Sequence, residues 1–223
     1  QWLDAYPEIL EVHVNDIISI VNGINNKDSL TQVQLKAKIT DPQLCRISET
    51  MSIGFSEKDI LMKEIELDYL CIPQDKYNMT EDTEGTLEDW ADAIQYEEDT
   101  STLLICNDEI KGFCDFYPVT PESYKDLIDG KVIVRSNMID LYDLGGQFNM
   151  YIAMIAISPE LESQKTYLMF FDWIISHLAE WKKSDIEMIN LGVSVYSDLL
   201  EKFVIKFGFS FKGLNPAKGK IYE

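Results

Sequence analysis

The run from Phe148 to Ser158 constrains this chain most: eleven residues, mostly apolar, without a single charge. A strand with one wet face alternates apolar and polar residues, whereas a near-continuous apolar run needs cover on both faces. The run therefore predicts a central strand in a sheet sandwiched between helices. The next residues supply that setting. Glu162 to Lys183 carries Leu168, Phe171, Ile175 and Leu178 at helical spacing. Ile186 to Val195 is strand-like again. Ser197 caps a helix through Lys206, with Leu200, Phe203, Val204 and Phe207 inward, and Gly208 closes it. Phe209 to Lys212 returns as a strand. A strand, a helix and a strand in this order make a parallel pair with a crossover.

Upstream, Thr102 to Cys106 and Ile110 to Tyr117 flank the turn Asn107-Asp108-Glu109, the pattern of a β-hairpin. Thr120 caps a short helix through Ile128, with Pro121 at its first position and Gly130 past its end. Met138 to Leu144 predicts another strand, with Gly145-Gly146 as its turn. Asp41-Pro42 opens a helix through Leu44, Ile47 and Met51, and a second runs from Glu57 to Leu70. After a polar loop, Pro73 to Gly85, Thr86 with Asp89 starts a third, with Leu87, Trp90, Ala91 and Ile94 on one face. Residues 1–38 predict an N-terminal helical extension before the domain proper, 39–223. The whole predicts an α/β protein with a mixed sheet and helices on both faces.

Charge bounds the partners. Thirty-nine acidic residues against 19 basic ones leave a net charge of −20. Such a surface repels phosphate backbones, which argues against nucleic acid, and favours amines or basic peptides. Acidity also serves solubility alone. No stretch of 18 apolar residues exists, so no membrane partner is expected. Cys45, Cys71, Cys106 and Cys114 form no Cys-x-x-Cys pair, and His13 and His177 add no zinc spacing, so no metal is expected. Reduced thiols suit the cytoplasm.

Three short segments carry a resemblance. Ile155-Ala156-Ile157-Ser158-Pro159-Glu160 reads as an apolar strand with an x-Pro-Glu exit. About fifty residues later, after helix, strand and helix, comes Lys206-Phe207-Gly208-Phe209. The hairpin contains Ile110-Lys111-Gly112-Phe113. Over about residues 100 to 212 the chain resembles the GNAT superfamily, the acyl-CoA-dependent N-acyltransferases. The resemblance implies a V-shaped splay between the fourth and fifth strands. It implies acetyl-CoA as cosubstrate, with its pantetheine arm along Ile155, Ala156 and Ile157. The pyrophosphate would meet the turn Glu162, Ser163, Gln164, Lys165, Thr166 and Tyr167, where a helix N-terminus offers free N–H groups and a favourable dipole. The implied activity is acetyl transfer to a primary amine of a small molecule or basic peptide. Pairing of open sheet edges, common in the family, would give a homodimer.

The chain departs from the family at two places. The loop is usually Arg/Gln-x-x-Gly-x-Gly/Ala, but here Lys165 replaces the first glycine and Tyr167 the second small residue. Glycine lets backbone approach phosphate closely, so its loss crowds the site. The last helix often carries a tyrosine as acid for the leaving thiolate, and Val204 stands there instead. Tyr196 and Ser197 are the nearest replacements, and Tyr151 is a third candidate facing the substrate. Each also has a structural reading: Ser197 as a cap, the tyrosines as sheet residues with satisfied hydroxyls. Asp115, a carboxylate inside an apolar strand, and Asp140 are candidates for holding the substrate amine. The competing expectation is a catalytically degenerate GNAT-fold binding or regulatory module.

Overall fold

A computed structural model describes residues 41–72, 100–140 and 145–223. They form strands β1 (Gln43–Cys45), β2 (Ser101–Cys106), β3 (Glu109–Val119), β4 (Gly146–Ile157), β5 (Ile186–Val195), β6 (Phe211–Leu214) and β7 (Lys220–Tyr222). The helices are α1 (Ile47–Ser52), α2 (Glu57–Cys71), α3 (Pro121–Ile128), α4 (Gln164–Lys183) and α5 (Asp198–Lys206). The strands make one sheet in the order β1-β2-β3-β4-β5-β7-β6. Every neighbouring pair is antiparallel except β4 and β5. The mixed α/β sheet expected from the sequence is present.

The charge-free run sits in β4, at the middle of the sheet. Phe148, Met150, Ile152, Ile155 and Ile157 pack with Tyr167, Phe170 and Phe203 from α4 and α5. Met154 and Ala156 join Ile60 and Leu67 of α2, while Tyr151 packs with Tyr124 and Leu127 of α3. Both faces are covered, as an unbroken apolar run requires. The face pattern changes parity after Ile152 because of a bulge. Asp115 of β3 faces Met154 and Phe116 faces Ile152, so Ala153 is the extra residue.

Capping follows sequence chemistry. Ser56, Thr120, Ser163 and Ser197 each accept a hydrogen bond from a first-turn N–H of α2, α3, α4 and α5.

Several expectations are corrected. Residues 43–45 are strand, not helix: they pair with β2, Gln43 opposite Ile105, and α1 begins only at Ile47. Pairing along a sheet edge overrides the local pattern. The buried stripe of α4 is Thr166, Tyr167, Phe170, Phe171, Ile174, His177 and Trp181. Leu168 and Ile175, assigned inward, are 42% and 46% exposed. The helix is turned because its aromatic residues, not its leucines, fill the core. His177 lies between Trp173 and Trp181, with ring centroids 5.2 Å and 5.1 Å away. Residues 138–140 are not a strand. Ser136–Met138 is a 3-10 turn, and Ile139 makes one bridge to Val119. Strand β7 has no counterpart in the sequence reading. The proposed extension 1–38, the loop 73–85 and the helix from Thr86 lie outside the described residues. Among the described residues, no helix is long and apolar enough to cross a membrane.

Candidate functional site

Strands β4 and β5 pair from Gly146 opposite Ile186 to Ile152 opposite Val193, and no further. Beyond that point β4 is held by β3 alone, while Val193, Ser194 and Val195 pair with Tyr222, Ile221 and Lys220 of β7. The two strands part where Ala153 bulges, and a bulge bends the strand that carries it. The orientation of the free edge follows from its neighbours. Ser158 donates its N–H to the Lys111 carbonyl at 2.7 Å. A Cβ on Gly112 would lie 2.7 Å from the Ala156 carbonyl, so that group also faces β3. By alternation, the backbone N–H and C=O groups of Ile155 and Ile157 face the gap. The Cys71 thiol, at the end of α2, donates to the Ile157 carbonyl at 3.3 Å.

The gap encloses a cavity of about 60 Å³, lined by Cys71, Met154, Tyr167, Ser194 and Tyr196 among others. Ligand pockets commonly measure roughly 300–1,000 Å³, so this one is narrow. Of the two unusual loop residues, Tyr167 lines it and Lys165 does not. Tyr167 is buried and packs against Phe203, with ring centroids 6.1 Å apart. Its hydroxyl donates to Glu162 Oε1 at 2.8 Å, and Ser197 Oγ donates to the same oxygen at 2.5 Å. Glu162 thus ties the exit of β4 to the start of α5.

The start of α4 is otherwise suited to an anion. Ser163 Oγ accepts from the Thr166 N–H at 3.2 Å, and the Thr166 hydroxyl donates to the Leu161 carbonyl at 2.6 Å. The N–H groups of Gln164 and Lys165 lie in the first turn, where no intrahelical acceptor exists. The positive end of a 20-residue helix adds to them. Ser163, Gln164 and Lys165 are exposed there.

A polar network backs the cavity. Tyr151 is buried, and its hydroxyl shares a 2.9 Å hydrogen bond with Ser194 Oγ. Asn215 Nδ2 donates to Ser194 Oγ at 3.2 Å and to the Tyr196 hydroxyl at 2.7 Å. Asn215 is held in turn by the Gly219 N–H, 2.8 Å from its Oδ1. Burial pushes the Tyr151 phenol up to about 12 and raises Tyr196 as well, with Asn215 opposing the latter. Both phenols therefore keep their protons at neutral pH. Tyr196 lines the cavity and Tyr151 lies behind it. Ser197 is committed as the cap of α5, accepting from Leu199 and Leu200 N–H groups at 3.1 Å and 3.4 Å.

The acidic candidates separate. Asp115, half-buried on β3, stands opposite Met154, which lines the cavity. Its carboxylate accepts from Ser101 Oγ at 2.8 Å and from Tyr117. Burial nonetheless pushes it up to about 7. Asp140 is not brought to the cavity. Its N–H bonds the Pro118 carbonyl, and Pro118 pairs with Met150, before the strands part. Two groups that the sequence reading did not single out complete the site. Asp68, one turn before Cys71 on α2, has its Oδ1 sealed from solvent with no hydrogen-bond partner. Burial, then the charge of Asp115, raise it well above the usual carboxylate range. A carboxylate seven and eight positions after Leu61 and Ile60 was the available signal. Asn215 had only a turn signal, Asn-Pro, which says nothing of its reach.

No protein-family model and no curated protein matches the chain. Among solved structures, it is similar to the loading GNATL domain of CurA from Lyngbya majuscula. That match has 12% identity and a TM-score of 0.52, and covers 82% of this chain and 96% of that one. Arabidopsis thaliana Naa50 in complex with the bisubstrate analogue CoA-Ac-MVNAL matches with 16% identity and a TM-score of 0.47, over 81% and 96% of the chains. Arabidopsis thaliana NAA60 in complex with acetyl-CoA matches with 9% identity and a TM-score of 0.45, over 82% and 97%. What the first likeness shows, together with the strand order and the parallel β4–β5 pair that parts midway, is the architecture: the chain has a GNAT-like fold.

Proposed function

We propose that the chain is an acetyl-CoA-dependent N-acetyltransferase acting on a primary amine of a small molecule or basic peptide. The observation that carries this is the parting of β4 from β5 after Ile152 and Val193, beside an α4 N-terminus with free first-turn N–H groups. The edges of Ile155 and Ile157, flanking Ala156, match the amides of a pantetheine arm. The Gln164 and Lys165 N–H groups, with the exposed side chains of Ser163, Gln164 and Lys165 beside them, suit a pyrophosphate, while the Thr166 hydroxyl is already committed to the Leu161 carbonyl. Glu162 must leave Ser197 and Tyr167 for the phosphates to reach them. When bound, acetyl-CoA supplies an acetyl group as a thioester, already activated towards amines.

This chain's own residues do the rest. Tyr196 holds a proton at its phenol beside the cavity, available to a leaving thiolate. Tyr151 fixes Ser194, which with Asn215 orients Tyr196. Ser197 holds the mouth through Glu162. Asp115 attracts the ammonium of the acceptor. The cytoplasm is the proposed location, supported by four free thiols. A homodimer through the exposed edge of β6, where Phe211 and Leu214 are 57% and 51% exposed, belongs to the same reading.

Thermal melting with and without acetyl-CoA tests the binding half. A ligand specific for the native state raises the melting temperature by mass action. Release of free thiol on adding amines tests the rest. An unchanged melting temperature near millimolar acetyl-CoA would count against the enzyme. A second reading, a degenerate binding or regulatory module, is favoured by the Glu162 bonds, the small cavity and Val204 buried at the tyrosine position. On that reading the Glu162→Ala chain also melts unchanged.

A further inference from the structure

A second cavity, of about 170 Å³, opens between the β1–α1 corner, β2 and the second half of α4. It shares no lining residue with the cleft beside β4, whose cavity is about 60 Å³. We infer that this second cavity binds a free α-amino acid with an apolar side chain of about leucine's size.

Its apolar wall is firmly held. Trp173 and Leu44 are half-buried and pack on the main core. Trp173 stacks on His177, with ring centroids 5.2 Å apart, and His177 meets Trp181 edge-on at 5.1 Å. Trp181 in turn stacks on Phe116 of β3 at 5.7 Å. A wall anchored through to the sheet is in place before any ligand arrives, so little freedom is lost on binding. Thr102 also lines the cavity, but its hydroxyl donates to the Cys45 carbonyl at 3.2 Å.

Charge lies towards solvent. Glu49 and Glu180 are exposed, and Arg46 is half-buried. Glu49 is fixed on the α1 side, with its Oε2 2.8 Å from the Arg46 N–H. Glu180 comes from α4, where Trp173, Ser176, His177 and Glu180 follow at i, i+3, i+4 and i+7 and share one helix face. The cavity thus passes from an apolar wall to a rim that carries one guanidinium and two carboxylates.

That gradient narrows the ligand. A plain anion meets two carboxylates, and a plain cation meets Arg46. A zwitterion with an apolar tail suits all three. Its carboxylate goes to Arg46, whose guanidinium has five N–H donors and serves more than one acceptor at once. Its ammonium goes to Glu180, with the Ser176 hydroxyl on the same helix face as a further acceptor. Its side chain lies on Trp173 and Leu44. The size agrees: an apolar cavity of about 150 Å³ takes up benzene, with six carbons, and leucine also has six. At the solvent edge the charged groups keep part of their hydration, which avoids the penalty of full burial. A peptide terminus carries only one of the two charges, so the free amino acid is the match. None of this depends on the acyl-transfer reading.

The test uses the full chain and L-leucine, followed by thermal melting and by the NMR signal of the Trp173 indole N–H, assigned with Trp173→Phe. Leucine should raise the melting temperature in a dose-dependent way and move that signal. L-leucinamide lacks the carboxylate, 4-methylpentanoate lacks the ammonium, and glycine lacks the apolar tail. Each should bind at least about tenfold more weakly. Arg46→Gln and Glu180→Gln should each weaken leucine about tenfold, and Glu122→Gln, on α3, should bind as the parent does. Leucinamide or 4-methylpentanoate binding as well as leucine overturns the proposal. Undiminished affinity in Arg46→Gln places leucine elsewhere, the acyl-acceptor position included, and also overturns it. The Trp173 signal in the unmodified chain does not depend on any variant folding, and an unmoved signal overturns the proposal too. Melting with acetyl-CoA is run separately. A response to acetyl-CoA but none to leucine removes this site alone, and the converse removes the acyl-transfer reading alone.

Discussion

Replacing Asp115 with Asn should flatten the pH dependence of stability near neutrality. In the folded chain the carboxyl is raised from 3.8 to about 7, chiefly by burial, against the lowering effect of Ser101 and Tyr117. The folded state therefore binds a proton that the unfolded state has released over that range. The sign follows: stability is greatest below about pH 4 and falls as pH rises towards about 7. Three units at about 1.36 kcal/mol each give roughly 4 kcal/mol as the upper bound. Partial exposure of Asp115 and sharing of the proton with Asp68 reduce this to about 2–3 kcal/mol. The groups that interact with the carboxyl are Ser101 on β2, Cys114 and Tyr117 on β3, and Asp68 on α2. Among the described residues, no lysine or arginine makes an ion pair with it. Carboxylates lowered by lysines elsewhere, such as Glu109 and Glu201, act on the acid side and cancel in the difference between the two chains. Urea unfolding of both chains from about pH 4 to about pH 8 gives the curves. The difference should run against the parent as pH rises. Parallel curves would refute the assignment of Asp115 as a buried, proton-holding acid.

Three further outcomes are expected. Glu162→Ala should tighten acetyl-CoA about tenfold, measured by calorimetry, because a carboxylate no longer competes for the anion site. Tyr196→Phe should lower kcat about a hundredfold while leaving the KM for acetyl-CoA nearly unchanged, the pattern for a lost proton donor. Gly192→Ala should cost about 1–3 kcal/mol in urea unfolding, since its Cβ would lie 2.7 Å from the Tyr151 ring and from Ile128 Cδ1.

The central strand was legible because an unbroken apolar run has few other homes. The caps at Thr120 and Ser197 were legible because a short polar side chain before an apolar helix has one common use. The inward face of α4 was not legible because Leu168 and Ile175, though apolar, point outward while Tyr167, Phe170, His177 and Trp181 fill the core. β1 was missed because a three-residue edge strand is made by its partner, not by its own pattern. For the site, the altered loop was visible in Lys165 and Tyr167. Its consequence was not, because the bonds of Glu162 to Tyr167 and Ser197 join residues up to 35 positions apart. Asp68 and Asp115 are 47 positions apart, and only the packing of α2 on β3 and β4 makes them neighbours.

Strand β5 has a partner on each edge, which gives residues 220–222 an unexpected importance. These three residues keep the upper end of β5 occupied, Tyr222 against Val193 and Ile221 against Ser194. Without them, the edge of β5 that faces away from β4 would be bare at Val193, Ser194 and Val195. Residues 220–222 thus brace from behind the stretch that carries Ser194 and leads into Tyr196, so weakening this ribbon would loosen the far wall of the cleft while leaving most of the core intact.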